Sequence, residues 1–529
     1  MLRQQNCHYL GAFRSCQSIL ALLVLVASLA FLSGCSSSST PCIAGTGTFN
    51  VASLGTAGTQ WAYEVSGFLV NSNGTFSPYT SGGVFTVNGN GVITGGTDAF
   101  WGTITGGTYA INGNGTGAVS LSVSTNSGGR RTLVWGITLG NPGTTNSPGS
   151  FGVIQSDSQA RSSGAAYQQS ASVLNTAPSG TFVFHTHTNA PGASITGAQN
   201  SVGSINFGAG TVTGNDDWVN GGTDGQTLGF SGVFSPASAG IGSITFADGL
   251  GLRTFDYFPI NAKTLLLYET DVINKGGGVG RAESQQTPTG GFTNASLNGS
   301  FAFQSHGDTN ATGAGGVSSA GQFVANGNGN ITGGALDSVR DGTPKTNQTI
   351  STSTYSFASA GRINGRATAT LTTVAGNSTA IVLYMVSSSR AFFIVTGDPT
   401  VVEDGTTDQQ SSTSFADSSF NGQYAFVMGG TVSGVPRART GIVVANGNGN
   451  LGWSLLSTAG GGLSACAIGS YSVGTNGRVV ASLPLVSNNM IFYLISPGSA
   501  YAIQVDSGTQ IVGGVANQNH LVTPFIPGI

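Results

Sequence analysis

The sequence predicts an all-β protein of four tandem antiparallel domains, and three observations carry that prediction. Asn326-Gly327-Asn328-Gly329-Asn330 returns as Asn446-Gly447-Asn448-Gly449-Asn450, in shorter form as Asn88-Gly89-Asn90-Gly91, and in degenerate form as Phe207-Gly208-Ala209-Gly210. The four stretches start at 88, 207, 326 and 446, so the copies lie 119, 119 and 120 residues apart. The apolar residues fall in short alternating runs rich in β-branched and aromatic side chains, the period of strands with one buried face. Glycine, 85 of 529 residues, interrupts most windows of helical length, so no amphipathic helix is expected after residue 40. A repeat this long is a whole domain, unlike the 20–50 residues of a solenoid unit. Each copy is therefore read as a bead with its own core.

The chain in order begins with a leader. Met1 to Ser18 carries Arg3 and Arg14 and no acid, and Ile19 to Phe31 is an apolar run interrupted only by Ser28. That run is short for a membrane-spanning helix, which needs about 20 residues, and has the length of a signal-peptide core. It ends in Leu32-Ser33-Gly34-Cys35. These residues resemble a bacterial lipobox. The resemblance implies cleavage before Cys35, diacylglyceryl modification of its thiol and acylation of the new amino end. Ser36, not an aspartate, follows the cysteine, which is similar to lipoproteins sent to the outer membrane. Residues 1–34 are then a signal peptide. Residues 35–58, rich in Ser, Gly and Thr, read as a flexible tether.

The repeats follow at 59–170, 179–287, 296–411 and 418–520, with a tail at 521–529. The third copy is the clearest. Runs at 300–303, 321–325, 331–336, 354–357, 366–372, 380–386 and 391–395, with a weak one at 406–410, make about eight strands joined by tight turns. Asn-Gly between alternating runs predicts a type I′ hairpin. An open meander of eight strands leaves two edges exposed, and closure removes both. Each copy is therefore expected to be a small closed eight-stranded barrel, with a two-sheet sandwich or a propeller-like ring of shared sheets as alternatives. The outline is similar to calycin-like barrels of the lipocalin and streptavidin type, although no motif of those families is present. The tandem copies also look similar to large Gly/Ser/Thr-rich repeat lipoproteins of environmental bacteria.

Composition excludes several functions. Charged residues are 7% of the chain and net charge is −3, with Lys263, Lys275 and Lys345 the only lysines past residue 40. No patch neutralises several phosphates, so nucleic-acid binding is not expected. No Gly-x-Ser-x-Gly elbow and no Gly-Lys-Ser/Thr loop occurs. Cys7 and Cys16 belong to the leader and Cys35 to the lipobox, which leaves Cys42 and Cys466 either paired or free.

The polar candidates recur with the repeat. Asp98, Asp217 and Asp337 follow the central hairpin in three copies, as turn caps or as positions for a cation or a sugar. Asp216 with Asp217 offers a carboxylate pair for acid–base chemistry. Asp157, Asp271, Asp398 and Asp506 stand at strand ends, followed by Gln168-Gln169, Gln285-Gln286, Gln409-Gln410 and Gln518. His185 and His187 share one face of a strand, but no third ligand is evident with only His306 and His520 elsewhere past Cys35, so no metal and no cofactor is assigned. Arg130-Arg131 and Arg437 with Arg439 read as isolated surface charges. The expected protein is a lipid-anchored envelope protein whose four modules form a non-enzymatic binding or spacing array, held to the outer membrane by its lipid on the periplasmic or surface face. Its expected partners are a glycan, a cell-wall component or another envelope protein. A polysaccharide-acting enzyme and a purely structural stalk are the alternatives.

Overall fold

The computed structural model describes residues 49–140, 149–155, 157–188, 197–271, 278–310, 316–358, 364–458, 466–483 and 487–517. The leader, Cys35, Cys42, the pairing of Cys42 with Cys466, Gln518, His520 and the tail lie outside this account. Among the described residues no helix is long and apolar enough to cross a membrane, and the helices are four short 3-10 turns.

Four antiparallel barrels follow one another. Barrel 1 closes where its first strand, Thr59–Val70, pairs with its last, Ala160–Gln168 (Trp61 opposite Gln168). Barrel 2 closes through Gly180–Thr188 on Val279–Ser284, and barrel 4 through Asn421–Val432 on Thr509–Asn517. Barrel 3 departs from the eight expected strands. A ninth, Thr343–Ile350, pairs along one edge with Asn330–Arg340, while the short strand Ser353–Ser356 touches that neighbour at only two residue pairs. The ring still closes, through Val317–Asn326 on Asn330–Arg340. The ninth strand is an edge bearing Pro344 and Lys345, residues that discourage further pairing.

The Asn-Gly stretches are turns, but of another type than expected. Gly327 and Gly329 take positive φ (74° and 92°) with Asn328 between them outside the left-handed region, whereas a type I′ turn needs two adjacent residues there. The side chain of Asn326 accepts from the backbone N–H groups of Asn328 and Asn330 (2.8 and 3.1 Å), and Asn88 and Asn446 do the same in their copies.

Inside each barrel sits an aromatic core. Trp61, Tyr63, Phe85, Trp135 and Phe151 fill barrel 1. Phe426, Trp453 and Phe492 with Phe420 and Tyr424 fill barrel 4. The stretch from Phe49 to Gly58, read from sequence as tether, belongs to barrel 1. Val51–Leu54 forms a 3-10 turn capped by Asn50, Leu54 is buried, and its carbonyl accepts from Trp61 Nε1 (2.9 Å).

The barrels are not beads on a string. They pack side by side in a closed ring, 1 on 2, 2 on 3, 3 on 4 and 4 on 1, without sharing a sheet. The second residue type on each strand, facing away from the barrel core, is apolar where it meets a neighbour. Tyr384, Phe392 and Ile394 of barrel 3 are fully buried against Val183, Val202 and Val219 of barrel 2. Burying such a side chain contributes about 1.5–3 kcal/mol, so several per seam hold the ring without any covalent link. The linkers are ordered for the same reason. Gln169, Gln285 and Gln410 each end one barrel and donate to two carbonyls of the next: Gly240 and Pro259, Asn364 and Met385, Asn476 and Leu494. The glutamines singled out in the sequence are thus three copies of one hand-off between barrels.

Candidate functional site

The recurring aspartates serve the ring. Asp217 of barrel 2 accepts two bonds from Arg366 of barrel 3 (both 2.7 Å) and one from Tyr384 Oη (2.9 Å). Asp337 of barrel 3 is held identically by Arg478 and Tyr493 of barrel 4. Asp98 has no such partner, because barrel 2 presents apolar Ile241 and Phe258 at that seam. It turns inward instead, accepting from Tyr63 Oη (2.6 Å), Ser81 Oγ and the N–H groups of Phe100 and Trp101. At the seam between barrels 4 and 1 there is no acid in this role, and Leu456 packs beside Gly136 and Ile154. None of the three aspartates is open to a sugar or a cation.

The carboxylate pair does not exist as a pair. Asp216 and Asp217 are neighbours on one strand, so their side chains leave opposite faces. Asp217 goes to the seam and Asp216 goes into barrel 2, where burial and the charge of Asp248 push its carboxyl up. Two of the four strand-end aspartates cap turns. Asp157 accepts from the N–H groups of Gln159 and Ala160, and Asp398 from that of Thr400. Arg130 is exposed as expected, but two of the other arginines are not surface charges. Arg131 lies 3.6 Å over the ring of Trp101, and Arg439 is buried inside barrel 4 against Gln504.

A polar chain crosses the centre of the ring and touches all four barrels. Arg281 of barrel 2 stacks over Tyr167 of barrel 1 and pairs with Glu283 (2.7 Å). Glu283 also pairs with Arg390 of barrel 3 (2.9 Å), which reaches Asp408 (2.7 Å), and Asp408 accepts from Tyr501 of barrel 4. Glu64 of barrel 1 faces the same centre. Burial outweighs the nearby Arg281 and pushes its carboxyl up to about 8 from 4.5, with Tyr167 the other titratable group beside it. A carboxyl raised in the folded state holds its proton longer than in the unfolded chain, so stability falls as pH rises from about 4.5 to about 8. Glu64→Gln is expected to match the parent at pH 5 and to exceed it at pH 9 by a few kcal/mol, bounded by about 1.4 kcal/mol per pH unit of that window. Denaturant titrations at the two pH values check this, and an equal gain at both contradicts it.

Beside that chain lies a cluster that the sequence reading split apart. His185 and His187 project from barrel 2 toward barrel 3. There His306 and Asp404 stand directly opposite each other on paired strands. Asp404 accepts from Asn200 (3.0 Å), sits 3.0 Å from His185 Nδ1, and is 3.4 Å from His306 Nε2. The third group missing from the histidine pair was an aspartate more than 200 residues away, which no local spacing reveals.

One barrel is hollow. Equivalent inward positions on the first two strands of each barrel are Val65 opposite Ser81, Thr186 opposite Ser201, Ser305 opposite Ser319, and Met428 opposite Arg439. Barrel 1 fills this end with Tyr79 and Trp101. Barrel 2 fills it with Arg253, which is bound by Thr186, Ser201 and Glu269. Barrel 4 fills it with Arg439 itself. Barrel 3 has two serines and nothing large to replace them. A cavity of about 500 Å³ results, with Phe303, Ile381, Phe393 and Val395 in its apolar wall and Arg340, Lys345, Gln348, Asp398 and Glu403 among its polar groups. Glu403 is fully buried there and its carboxyl is pushed up to about 7 by that burial. Thr343, Lys345, Gln348 and Ile350 of the ninth strand line the cavity.

No protein-family model and no curated protein matches the chain. Among solved structures, transferrin binding protein B of serogroup B Neisseria meningitidis shows a likeness at 9% identity and TM-score 0.20 over 68% of this chain and 79% of that one. Intact Ap-TbpB with its N and C lobes gives 10% identity and TM-score 0.18 over 66% and 76%. A mutant of the same protein from Haemophilus parasuis Hp5 gives 12% and 0.17 over 72% and 84%. Likenesses of this size say nothing of ligand or partner.

Proposed function

We propose that this is a lipid-anchored cell-envelope protein that binds a small amphipathic molecule in the hollow of barrel 3. The cavity carries this reading: it has the size of a small-ligand site, an apolar wall and a few converging polar groups. Barrels 1, 2 and 4 are filled at the equivalent end, so the expected capacity is one ligand per chain, in place of the four avid sites expected from the repeat. The ring then acts as a rigid holder for that one site. The anchor reading rests on Leu32-Ser33-Gly34-Cys35 and places the protein on the outer membrane, with a glycan-bearing or lipid-like envelope component as the class of ligand.

The test uses the chain from Ser36 onward and dansylated undecanoate, a fluorescent amphipathic probe. Saturable binding of one probe per chain is expected. Ser305→Met, which copies the residue of barrel 4 into barrel 3, is expected to weaken binding about tenfold or more, a loss of ~1.4 kcal/mol. Four probes per chain, or binding unchanged in Ser305→Met, contradicts the proposal. In the full chain, Cys35→Ser is expected to move the protein out of the membrane fraction, and a variant that stays there refutes the anchor.

A further inference from the structure

We infer that His185, His187 and Asp404, with His306 as the fourth group, form a zinc site that clamps barrel 2 to barrel 3. The inference is independent of the ligand site above. One ligand atom from each of His185, His187 and Asp404 lies within 4.8 Å of the other two. Tetrahedral Zn(II) with bonds of about 2.0–2.1 Å holds its ligand atoms roughly 3.4 Å apart. His185 Nδ1 lies 3.0 Å from one carboxylate oxygen of Asp404 and His306 Nε2 lies 3.4 Å from the other, both close to that spacing. The His187 and His306 rings meet edge to face with centroids 5.3 Å apart, which places His306 beside the three-residue group.

A second observation points the same way. His187 is 7% exposed and neither of its ring nitrogens has a hydrogen-bond partner. A buried imidazole with no partner is costly, and its neutral form is a good metal ligand. Asp404 is fully buried, and the Asn200 amide that donates to it is the kind of outer contact that orients a ligating carboxylate.

The surroundings suit a cation. Of the two arginines that share the small central cavity, Arg281 is paired with Glu283, and Arg390 with Glu283 and Asp408. Glu64 lines the same cavity. Imidazole and carboxylate without thiolate favour Zn(II) over softer ions. The donors come from one strand of barrel 2 and two strands of barrel 3, so a bound ion joins elements that the chain connects only through the linker after Gln285.

The test strips the tag-free chain from Ser36 onward with a chelator and titrates it with zinc alone. One equivalent is expected to bind at micromolar concentration or tighter, and the thermal midpoint is expected to rise with free zinc, because an ion that binds only the folded state stabilises it. Cobalt in place of zinc is expected to give the visible absorption of a four-coordinate ion. His187→Ala is expected to weaken zinc binding at least 100-fold, beyond the 10–100-fold typical of losing an outer-shell contact. His520→Ala is expected to change nothing. Failure of the parent chain to bind one equivalent overturns the inference, as does full binding by His187→Ala. Circular dichroism shows whether that variant folds, and if it does not, His185→Gln takes its place under the same criterion.

Discussion

Arg253→Met is expected to destabilise barrel 2 by about 3–5 kcal/mol, the usual cost of removing one partner from a buried ionic group. Arg253 is 3% exposed. It donates to Glu269 at 2.7 and 3.2 Å, to Asp248 at 3.3 Å, and to the hydroxyls of Ser201 and Thr186. Without it, Glu269 and Asp248 stay buried with no countercharge beside Asp216. Burial already pushes Glu269 and Asp216 up, and the loss of a cation raises both further. Carboxyls raised in the folded state lower stability as pH rises, so the deficit of the variant is expected to be larger at pH 8 than at pH 5. Denaturant unfolding at the two pH values measures it. A deficit below about 1 kcal/mol at both, the scale of an exposed ion pair, contradicts the packing described for this barrel.

Arg390→Met is expected to cost a similar ~3–5 kcal/mol, but at the ring and not within one barrel. Arg390 holds Glu283 of barrel 2 and Asp408 of its own barrel, and Asp408 in turn receives Tyr501 of barrel 4. Its loss leaves Asp408 without a cation and Glu283 with Arg281 as its remaining partner, between three barrels. The expected sign is loss of cooperativity: one unfolding transition in the parent becomes two or more, because the seams weaken while each barrel keeps its own aromatic core. A single transition shifted as a whole, with Asp408→Asn failing to restore stability to Arg390→Met, contradicts the account. Asp408→Asn removes the stranded charge, so partial rescue is the expected outcome.

Much of the fold was legible because its causes are local. Period-two runs, glycine at the turns and the cost of open edges each act within a few residues, and together they define closed antiparallel barrels. The ring was not legible. The alternation that gives each strand an inward face also gives it an outward one, and Ala62, Val183, Ala302 and Ala425 on the first strands look like ordinary surface positions until a neighbour covers them. The charged residues misled for the same reason. A chain with so few charges uses several of them in pairs between copies, as Asp217 with Arg366 and Asp337 with Arg478, at separations of 149 and 141 residues.

The candidate sites were half visible. His185-x-His187 was seen as a shared face, and Asp404 was hidden because its pairing with them depends on how two barrels meet. The hollow in barrel 3 left only a partial trace: aligned on the repeat, Ser305 stands where barrels 1 and 4 have Val65 and Met428, but Ser319 matches Ser81 and Ser201. Barrel 2 has equally small residues there and is filled by Arg253 from another strand, which side-chain volume at these two positions does not reveal.

Small-angle scattering from the chain beginning at Ser36 tests the ring most directly. A compact chain of this length has a radius of gyration of about 23 Å, whereas four such barrels strung in a row reach roughly 34 Å. The packed ring predicts a value near the first. A value near the second, or one that grows when salt is added to weaken the central ion pairs, contradicts it.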